Sequence, residues 1–308
     1  MTCRIVFMGS PQFATPTLKA LHQHFEVVGV FSQADKRSGR GKILTATPVK
    51  KLALEMGFFC AEPNDLKDPN VLSILKGLSP DAIVVVAYGK FLPKEILELP
   101  RFGCLNLHAS LLPSHRGPSP ISTAILSGDD QTGNTVMMMD AGMDTGSILD
   151  RQIIKIGQKD TAGSLHDKLM ELGASLMVET LIKLINGEIT PTPQDHSKAT
   201  YSRLLRKTDG LLDWNLDAKQ LDRIVRAMDP WPGAFFMMGK EQIKVRSATA
   251  LEGQVEPGLI MDVMADGIVV GTGAGLFLLE EVQAPSKKKI SASAFARGKR
   301  LKPGTYIV

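Results

Sequence analysis

The sequence has 308 residues, of which 44% are hydrophobic and 22% charged, with a formal net charge of +4 and a mean hydropathy near zero. This composition excludes a disordered or fibrous protein, and the longest apolar run, Ala82–Ala87, is far shorter than the roughly 20 residues that a membrane span needs. Three cysteines without a CxxC pair favour neither a disulfide framework nor a zinc site. We therefore expect a cytoplasmic protein that binds no membrane and no metal.

Short apolar strands alternate with amphipathic helices in the first half of the chain. The pattern predicts strands over Arg4–Met8, Glu26–Phe31, Asp81–Ala87, Cys104–His108 and Thr135–Asp140. It predicts helices over Thr15–His22, Pro48–Met56, Asn70–Leu78, Pro93–Leu99, Ser119–Ser127 and Ser164–Ile185. Because this alternation is typical of an open, mostly parallel sheet, we expect an α/β, Rossmann-like domain over residues 1–187.

A change of composition follows the long helix. Residues 188–207 are rich in Thr, Pro, Gln and Ser and end in three cations, Arg203, Arg206 and Lys207, which favours an interdomain linker. A helix is predicted over Leu216–Met228, and short β-rich runs separated by glycines and acidic turns then continue to the C-terminus. This rhythm is typical of a small OB-like β-barrel, and we assign it to a domain over residues 208–308.

The positive charge lies entirely in the C-terminal third. Residues 1–199 carry equal numbers of acidic and basic side chains, whereas residues 284–308 hold seven cations and no acid. Such a segment attracts polyanions, because each Lys or Arg near a phosphate releases a condensed counterion. The alternative is a solvated, frayed tail. Lys287, Lys288 and Lys289 are the densest group in this segment.

Two loops resemble nucleotide-binding motifs but lack their essential residues. After the first strand, Pro11 stands where a GxGxxG loop needs its second glycine, and proline has no N–H to donate to a pyrophosphate. In Gly39–Lys42, Ile43 replaces the Ser or Thr that a P-loop needs for Mg²⁺. The longer segment Asp35–Lys42 carries Arg37, Arg40 and Lys42 at the predicted carboxyl edge of the sheet, so we interpret it as an anion-seeking loop. A merely solvated loop is the alternative.

The strongest local signal is a pair of polar side chains on one predicted strand. Asn106 and His108 alternate with Leu105 and Leu107, so both polar groups share one face at the carboxyl end of the strand. Ligands of open α/β sheets bind at this edge, although a hydrogen-bonded core histidine is the alternative. Asp144, in a glycine-rich turn after a later strand, is a candidate to orient the imidazole.

These residues together resemble a known family. The pattern Asn106-x-His108-x-Ser110-Leu111-Leu112-Pro113-x-x-Arg116-Gly117, followed by Asp144-Thr145-Gly146, is similar to the catalytic signature of the formyltransferases that use 10-formyltetrahydrofolate. The resemblance implies that Asn106, His108 and Asp144 carry formyl transfer. It also implies that the loop formed by Ser110, Leu111, Leu112 and Pro113 contacts the folate.

The features that flank this signature indicate which members of the family the chain resembles. They are the opening Phe7–Pro11, the cationic loop, the Pro230–Gly233 corner and the C-terminal β-rich domain, and they are similar to those of members that formylate initiator methionyl-tRNA. The resemblance implies tRNA as a partner, and three cationic clusters that suit a phosphate backbone support it. We also expect a monomer. The expected contacts with tRNA are Arg37, Arg40, Lys42, Arg203, Arg206, Lys207, Lys287, Lys288 and Lys289.

Two other functions stay open on the sequence. The same catalytic residues suit a folate-dependent formyltransferase that acts on a small amine, or a formyl-folate hydrolase. A non-catalytic RNA-binding protein with a vestigial α/β domain is a third possibility, against which the joint presence of Asn106, His108 and Asp144 argues.

Overall fold

A parallel-dominated sheet organises the N-terminal part of the chain in the computed structural model, which describes residues 3–38 and 43–307. The strands that form this sheet are β1 Arg4–Gly9, β2 Glu26–Phe31, β5 Cys60–Ala61, β6 Ala82–Val86, β7 Cys104–His108, β8 Gln131–Met138 and β9 Ile148–Lys155. Their order across the sheet is β5-β2-β1-β6-β7-β8-β9. The pairings from β5 to β7 are parallel, whereas β8 and β9 add an antiparallel edge.

Helices and a small hairpin connect these strands. The helices are α1 Thr15–His24, α2 Pro48–Glu55, α3 Pro69–Leu78, α4 Lys94–Leu97, α5 Pro120–Ser127 and α6 Ala162–Ile185, and the hairpin pairs β3 Lys36–Ser38 with β4 Ile43–Thr45. The side chains of Thr47 and Asp68 cap α2 and α3 by accepting a backbone N–H, which explains why each helix begins there. Every residue of β6 is buried, as expected for a central strand covered on both faces.

The predicted Rossmann-like sheet is confirmed, with two additions on its antiparallel side. Strand β8 begins at Gln131, four residues before the predicted start at Thr135, and β9 was not predicted at all. The burial of β9 alternates between half-buried and exposed residues, because it is an edge strand with one face toward solvent. The sequence of β9 includes the charged residues Asp150, Arg151 and Lys155. It therefore lacks the uninterrupted apolar run that predicts a buried strand.

A second, antiparallel sheet forms the C-terminal part. The elements are α7 Ala218–Ala227, β10 Phe235–Met238, β11 Glu241–Leu251, β12 Ile260–Val263, β13 Ile268–Gly271, β14 Leu276–Gln283, β15 Ile290–Ser291 and α8 Ala292–Lys299. The strand order is β10-β11-β14-β13-β12, with β15 on β14. The core of this sheet contains Trp214, Phe236, Phe277 and Phe295, and the expected small β-rich, OB-like domain is confirmed.

The basic C-terminal segment is not a frayed tail. It forms α8, whose Phe295 and Ala296 are buried, and Ile307 near its end is fully buried and accepts a hydrogen bond from the Trp214 indole N–H, 3.0 Å from its carbonyl oxygen. The predicted strand at its end is reduced to a single bridge between Leu259 and Tyr306. The segment therefore joins the core through its apolar side chains while most of its cations stay exposed.

The described chain folds as two compact units. The first contains the chain up to Pro120, Gln131–Lys155 and His166–Ser202, and the second contains Ile121–Asp130, Ile156–Leu165 and the chain from Arg203 onward. The functional division into a domain over 1–187, a linker over 188–207 and a domain over 208–308 stays a prediction. Among the described residues, no helix has the length and apolar character that crossing a membrane requires.

Candidate active site

The two polar residues of β7 lie at the carboxyl end of the strand. Asn106 pairs with Val85 of β6 on one side and Met137 of β8 on the other, and His108 pairs with Thr135. Their side chains share one face because alternate residues of a strand point the same way. Asn106 is 9% exposed and His108 is 6% exposed, so the protein shields both from bulk water.

The imidazole of His108 lies between two oxygen acceptors. Its Nε2 donates to the carbonyl oxygen of His115 at 3.1 Å, since a carbonyl can only accept. Its Nδ1 is 3.6 Å from the Asp144 carboxylate oxygen Oδ2. Both nitrogens therefore face groups that accept hydrogen bonds, and these two acceptors on opposite sides fix the orientation of the ring.

Local backbone geometry aims the Asp144 carboxylate at this ring. Asp144 is in the left-handed region with φ of 53°, and its Oδ2 accepts the backbone N–H of Gly117 at 2.7 Å. Two residues on, a Cβ at Gly146 would lie 1.7 Å from the Met138 carbonyl oxygen, so only glycine fits. The turn after β8 is thus shaped to return a carboxylate to the end of β7.

The amide of Asn106 is uncommitted in this arrangement. Among residues 3–38 and 43–307, no hydrogen bond to its side chain occurs, although the residue is nearly buried. Its amide atoms keep some access to solvent, so a ligand at this edge of the sheet can reach them. Asn106 can therefore donate its N–H to an oxygen that develops negative charge beside His108.

The loop that follows β7 is tied to the same edge of the sheet. Thr135 donates its hydroxyl to the Ser110 carbonyl at 2.7 Å and accepts the Leu112 N–H at 3.1 Å. The side chain of Ser110 is fully buried, and its hydroxyl donates to the Ser114 carbonyl at 2.6 Å. Leu111 and Pro113 are half-buried. Contact of this loop with a folate stays a prediction.

Two residues of the site escaped functional assignment from the sequence. Arg116 belongs to the motif but received no role, and Gln194 lies in the stretch interpreted as a linker. In the structure, the guanidinium of Arg116 donates to Gln194 Oε1, and Gln194 donates to the carbonyls of Asp144 and Gly146. A glutamine between a proline and an aspartate carries no sequence signal of its own, so only the fold reveals this contact.

The structure describes only some of the basic residues that are predicted to contact tRNA. Arg40 and Lys42 lie outside the described residues, and Arg37 lies on β3, where only the backbone is described. Arg206, Lys207, Lys287 and Lys288 are exposed. Lys289 is exposed and bonded to Glu281 at 2.9 Å. Contact of these residues with RNA stays a prediction.

The exposed Arg203 already has a protein partner. Its guanidinium donates to both carboxylate oxygens of Asp209, at 2.7 and 2.8 Å. The pKa of the Asp209 carboxyl is lowered chiefly by this hydrogen bond, although partial burial opposes the shift. A phosphate would therefore compete with a carboxylate for Arg203.

The described residues also contain no group of three or more His, Cys, Asp or Glu side chains that could hold a metal ion.

Comparison with protein families identifies the class. The family described as formyl transferase matches residues 3–181, and the family described as formyl transferase, C-terminal domain, matches residues 204–300. The chain therefore belongs to the formyl transferase family.

Its curated relatives share one name along nearly the whole length of the chain. A protein of Clostridium novyi is 44% identical over 298 residues, which are 96% of each chain, and one of Geobacter metallireducens is 44% identical over 304 residues, 98% of each. Both are named methionyl-tRNA formyltransferase.

Solved structures with low sequence identity share the fold. WlaRD, a sugar 3N-formyl transferase crystallised with dTDP and 5-N-formyl-THF, has a TM-score of 0.69 at 15% identity and covers 94% of this chain and 100% of its own. HypX from Aquifex aeolicus, crystallised with tetrahydrofolic acid, has a TM-score of 0.62 at 17% identity, and the match covers 96% of this chain but only 47% of HypX. At these identities the likeness shows the fold alone.

Proposed function

We propose that the protein transfers the formyl group of 10-formyltetrahydrofolate to the free α-amino group of methionyl initiator tRNA, for translation initiation. The observation that carries the proposal is the His108 ring held between the His115 carbonyl and the Asp144 carboxylate, beside the unpartnered Asn106 amide. The names of the relatives supply the acceptor, since the geometry alone fits any amine.

The reaction needs no covalent enzyme intermediate. The neutral amine nitrogen attacks the formyl carbon, and the carbonyl oxygen becomes an oxyanion that accepts a hydrogen bond from the Asn106 amide. With substrate bound, the His108 ring exchanges one of its present acceptors, the His115 carbonyl or the Asp144 carboxylate, for this oxyanion. The bond between the formyl carbon and N10 of the folate then breaks. The proton lost by the amine passes to Asp144, directly or through water, and N10 takes up a proton as tetrahydrofolate leaves.

The loop over Ser110–Pro113 is the part of the site that we assign to the folate. It follows His108 directly, and Thr135 fixes its backbone at Ser110 and Leu112. Since the Ser110 hydroxyl is used inside the loop, Leu111 and Pro113 supply the surface for a planar ring. The folate brings the activated formyl group, and the chain supplies orientation and hydrogen bonds.

Electrostatics support a polyanionic acceptor. Exposed cations lie in two described groups, one over Arg203–Lys207 and one over Lys287–Lys289, and they suit a phosphate backbone in the salt-dependent way of nucleic-acid contacts. The cationic loop with Arg37, Arg40 and Lys42 is assigned to the same acceptor. The monomeric state and the cytoplasmic location also stay part of this proposal.

The test is to supply formyl donor with methionyl-tRNA, with a dTDP-linked amino sugar, or with no acceptor, and to follow each product by mass. Formylation of methionyl-tRNA supports the proposal. Formylation of the amino sugar alone, or hydrolysis of the donor without an acceptor, would assign the chain to the small-substrate alternatives. Asp144→Asn, measured in parallel, is expected to lose on the order of 10²-fold or more in turnover, because it can no longer take up a proton.

A further inference from the structure

Arg116 is a buried cation that is connected to the proposed catalytic residues. The guanidinium of Arg116 is 1% exposed, and among the described residues no carboxylate pairs with it. Its Nε and Nη2 donate to Gln194 Oε1 at 3.1 and 2.7 Å, and Nη2 also lies 3.2 Å from His196 Nδ1. Burying a charge without a counter-ion is expensive, so a purely structural role would be served better by an apolar side chain.

The side-chain amide of Gln194 connects Arg116 to the turn that carries Asp144. While Oε1 accepts from Arg116, Nε2 donates to the Asp144 carbonyl at 2.9 Å and to the Gly146 carbonyl at 2.7 Å. These two carbonyls flank Thr145, so one fixed amide determines the path of the backbone on both sides of it. Gln194 is 6% exposed, and its amide therefore has few competing partners in water.

The same arginine also fixes the other contact of the aspartate. Gly117, the next residue, donates its N–H to Asp144 Oδ2, the oxygen that faces His108. The backbone of Arg116 is itself held, because its N–H donates to the Thr200 carbonyl at 2.9 Å and its carbonyl accepts the Ser202 N–H at 2.7 Å. Both the backbone and the carboxylate of Asp144 thus depend on Arg116 and its partners.

We propose that Arg116 and Gln194 are positioning residues that hold the Asp144 carboxylate toward the His108 imidazole. The inference rests on the proposed function, in which Asp144 takes up the amine proton and His108 donates to the oxyanion. It also gives the segment over 194–202 a catalytic purpose, although it lies far beyond the motif in sequence. The 3.6 Å contact between Asp144 and His108 would lengthen or lose its direction without this support.

Two substitutions at Gln194 separate positioning from stability. Gln194→Glu gives Arg116 a carboxylate partner but cannot donate to the carbonyls of Asp144 and Gly146. Because the ion pair with Arg116 offsets part of this loss, we expect a higher melting temperature than in Gln194→Met. Gln194→Met removes both functions, leaves the guanidinium without its main partner, and should lower the melting temperature. For both variants kcat is expected to fall on the order of 10²-fold, with KM for folate and the Kd for tRNA little changed.

Asn134→Ala is the matched control. Its amide is also fully buried and also donates to a backbone carbonyl, that of Leu169 at 2.8 Å, but it lies on the opposite face of β8 from Thr135. This variant should lose stability and keep kcat. All assays are run well below the lowest melting temperature, so that the folded fraction is the same in every sample.

A spectroscopic measurement tests the contact without turnover. The ¹⁵N resonances of the His108 ring should move in Gln194→Glu and Gln194→Met and stay in place in Asn134→Ala. Unchanged kcat and ring resonances in Gln194→Glu would overturn the inference, and so would a loss of kcat that follows the melting temperature across the three variants. Absence of formyl transfer by the wild type would instead reject the proposed function, while the resonances would still test the positioning.

Discussion

The candidate active-site edge of the sheet and the cationic surfaces use polar residues in opposite ways. At the end of β7, His108, Arg116 and Gln194 are buried, Asp144 is half-buried, and their polar groups face fixed protein partners. Over Lys287–Lys289 the cations are exposed, and Lys289 has only a surface partner in Glu281. The first arrangement fixes the direction of each hydrogen-bonding group, and the second supplies a positive electrostatic field at the surface.

This difference follows from what each region has to recognise. A developing oxyanion is small and needs donors at set positions, which are effective only where water is excluded. A phosphate backbone is long and repeats its charge, so it is bound by the sum of many weak, salt-sensitive contacts. Substitutions at the two regions should therefore change different measured quantities.

The largest effect is expected at the buried edge. Asn106→Ala and His108→Ala each remove a donor for the oxyanion, and we expect turnover to fall on the order of 10²- to 10³-fold, about 3–4 kcal/mol, with little change in tRNA binding. Single-turnover formylation and a separate tRNA binding titration measure the two quantities. Near-normal turnover in either variant would remove that residue from the mechanism, and Asn134→Ala again serves as the control.

The cationic surface should respond in binding and not in turnover. Changing Lys287, Lys288 and Lys289 together to alanine is expected to weaken tRNA binding and to flatten the slope of log affinity against log salt by up to about three units. The matched control changes the exposed Lys19, Lys76 and Lys94 of the first unit, removing the same charge. Equal salt slopes in the two triple variants would leave Lys287–Lys289 without a part in tRNA binding.

The smallest effect is expected at the ion pair between Arg203 and Asp209. Arg203 lowers the pKa of the Asp209 carboxyl, so the folded state binds the proton less readily than the unfolded state does. The stabilisation is therefore complete above the usual aspartate pKa and is lost as the pH falls through the lowered value. Because Arg203 is 67% exposed, we expect less than about 1 kcal/mol from the pair.

Thermal unfolding of Asp209→Asn checks this sign. The variant should melt below the wild type at about pH 7, and the gap should close as the pH falls through the lowered pKa of Asp209, where the wild-type carboxyl takes up its proton. Asp266→Asn, at an exposed position, is the control and should show no such closing gap. A gap that persists at acid pH would mean that Asp209 acts through its contacts as a neutral group, such as the N–H of Arg206.

Local patterns were sufficient where a residue's environment follows from its neighbours in sequence. The apolar runs of β1, β2, β6 and β7 predicted buried parallel strands, and the alternation within β7 placed Asn106 and His108 on one face. The pattern failed at β9, whose exposed face carries charges, and in the basic C-terminal segment, where Phe295 and Ile307 join a core that the local charge concealed.

The sequence by itself determined the alternating α/β architecture and the small β-rich domain, and it singled out Asn106, His108 and Asp144 as candidates, because periodicity and motif spacing are local properties. Only the tertiary structure decided that Asp144 faces His108 and that Gln194 holds its turn. Gln194 lies 50 residues from Asp144 and 78 from Arg116 along the chain. Contacts across such separations depend on how the sheet edge and the later segment pack, and a residue's type alone does not encode them.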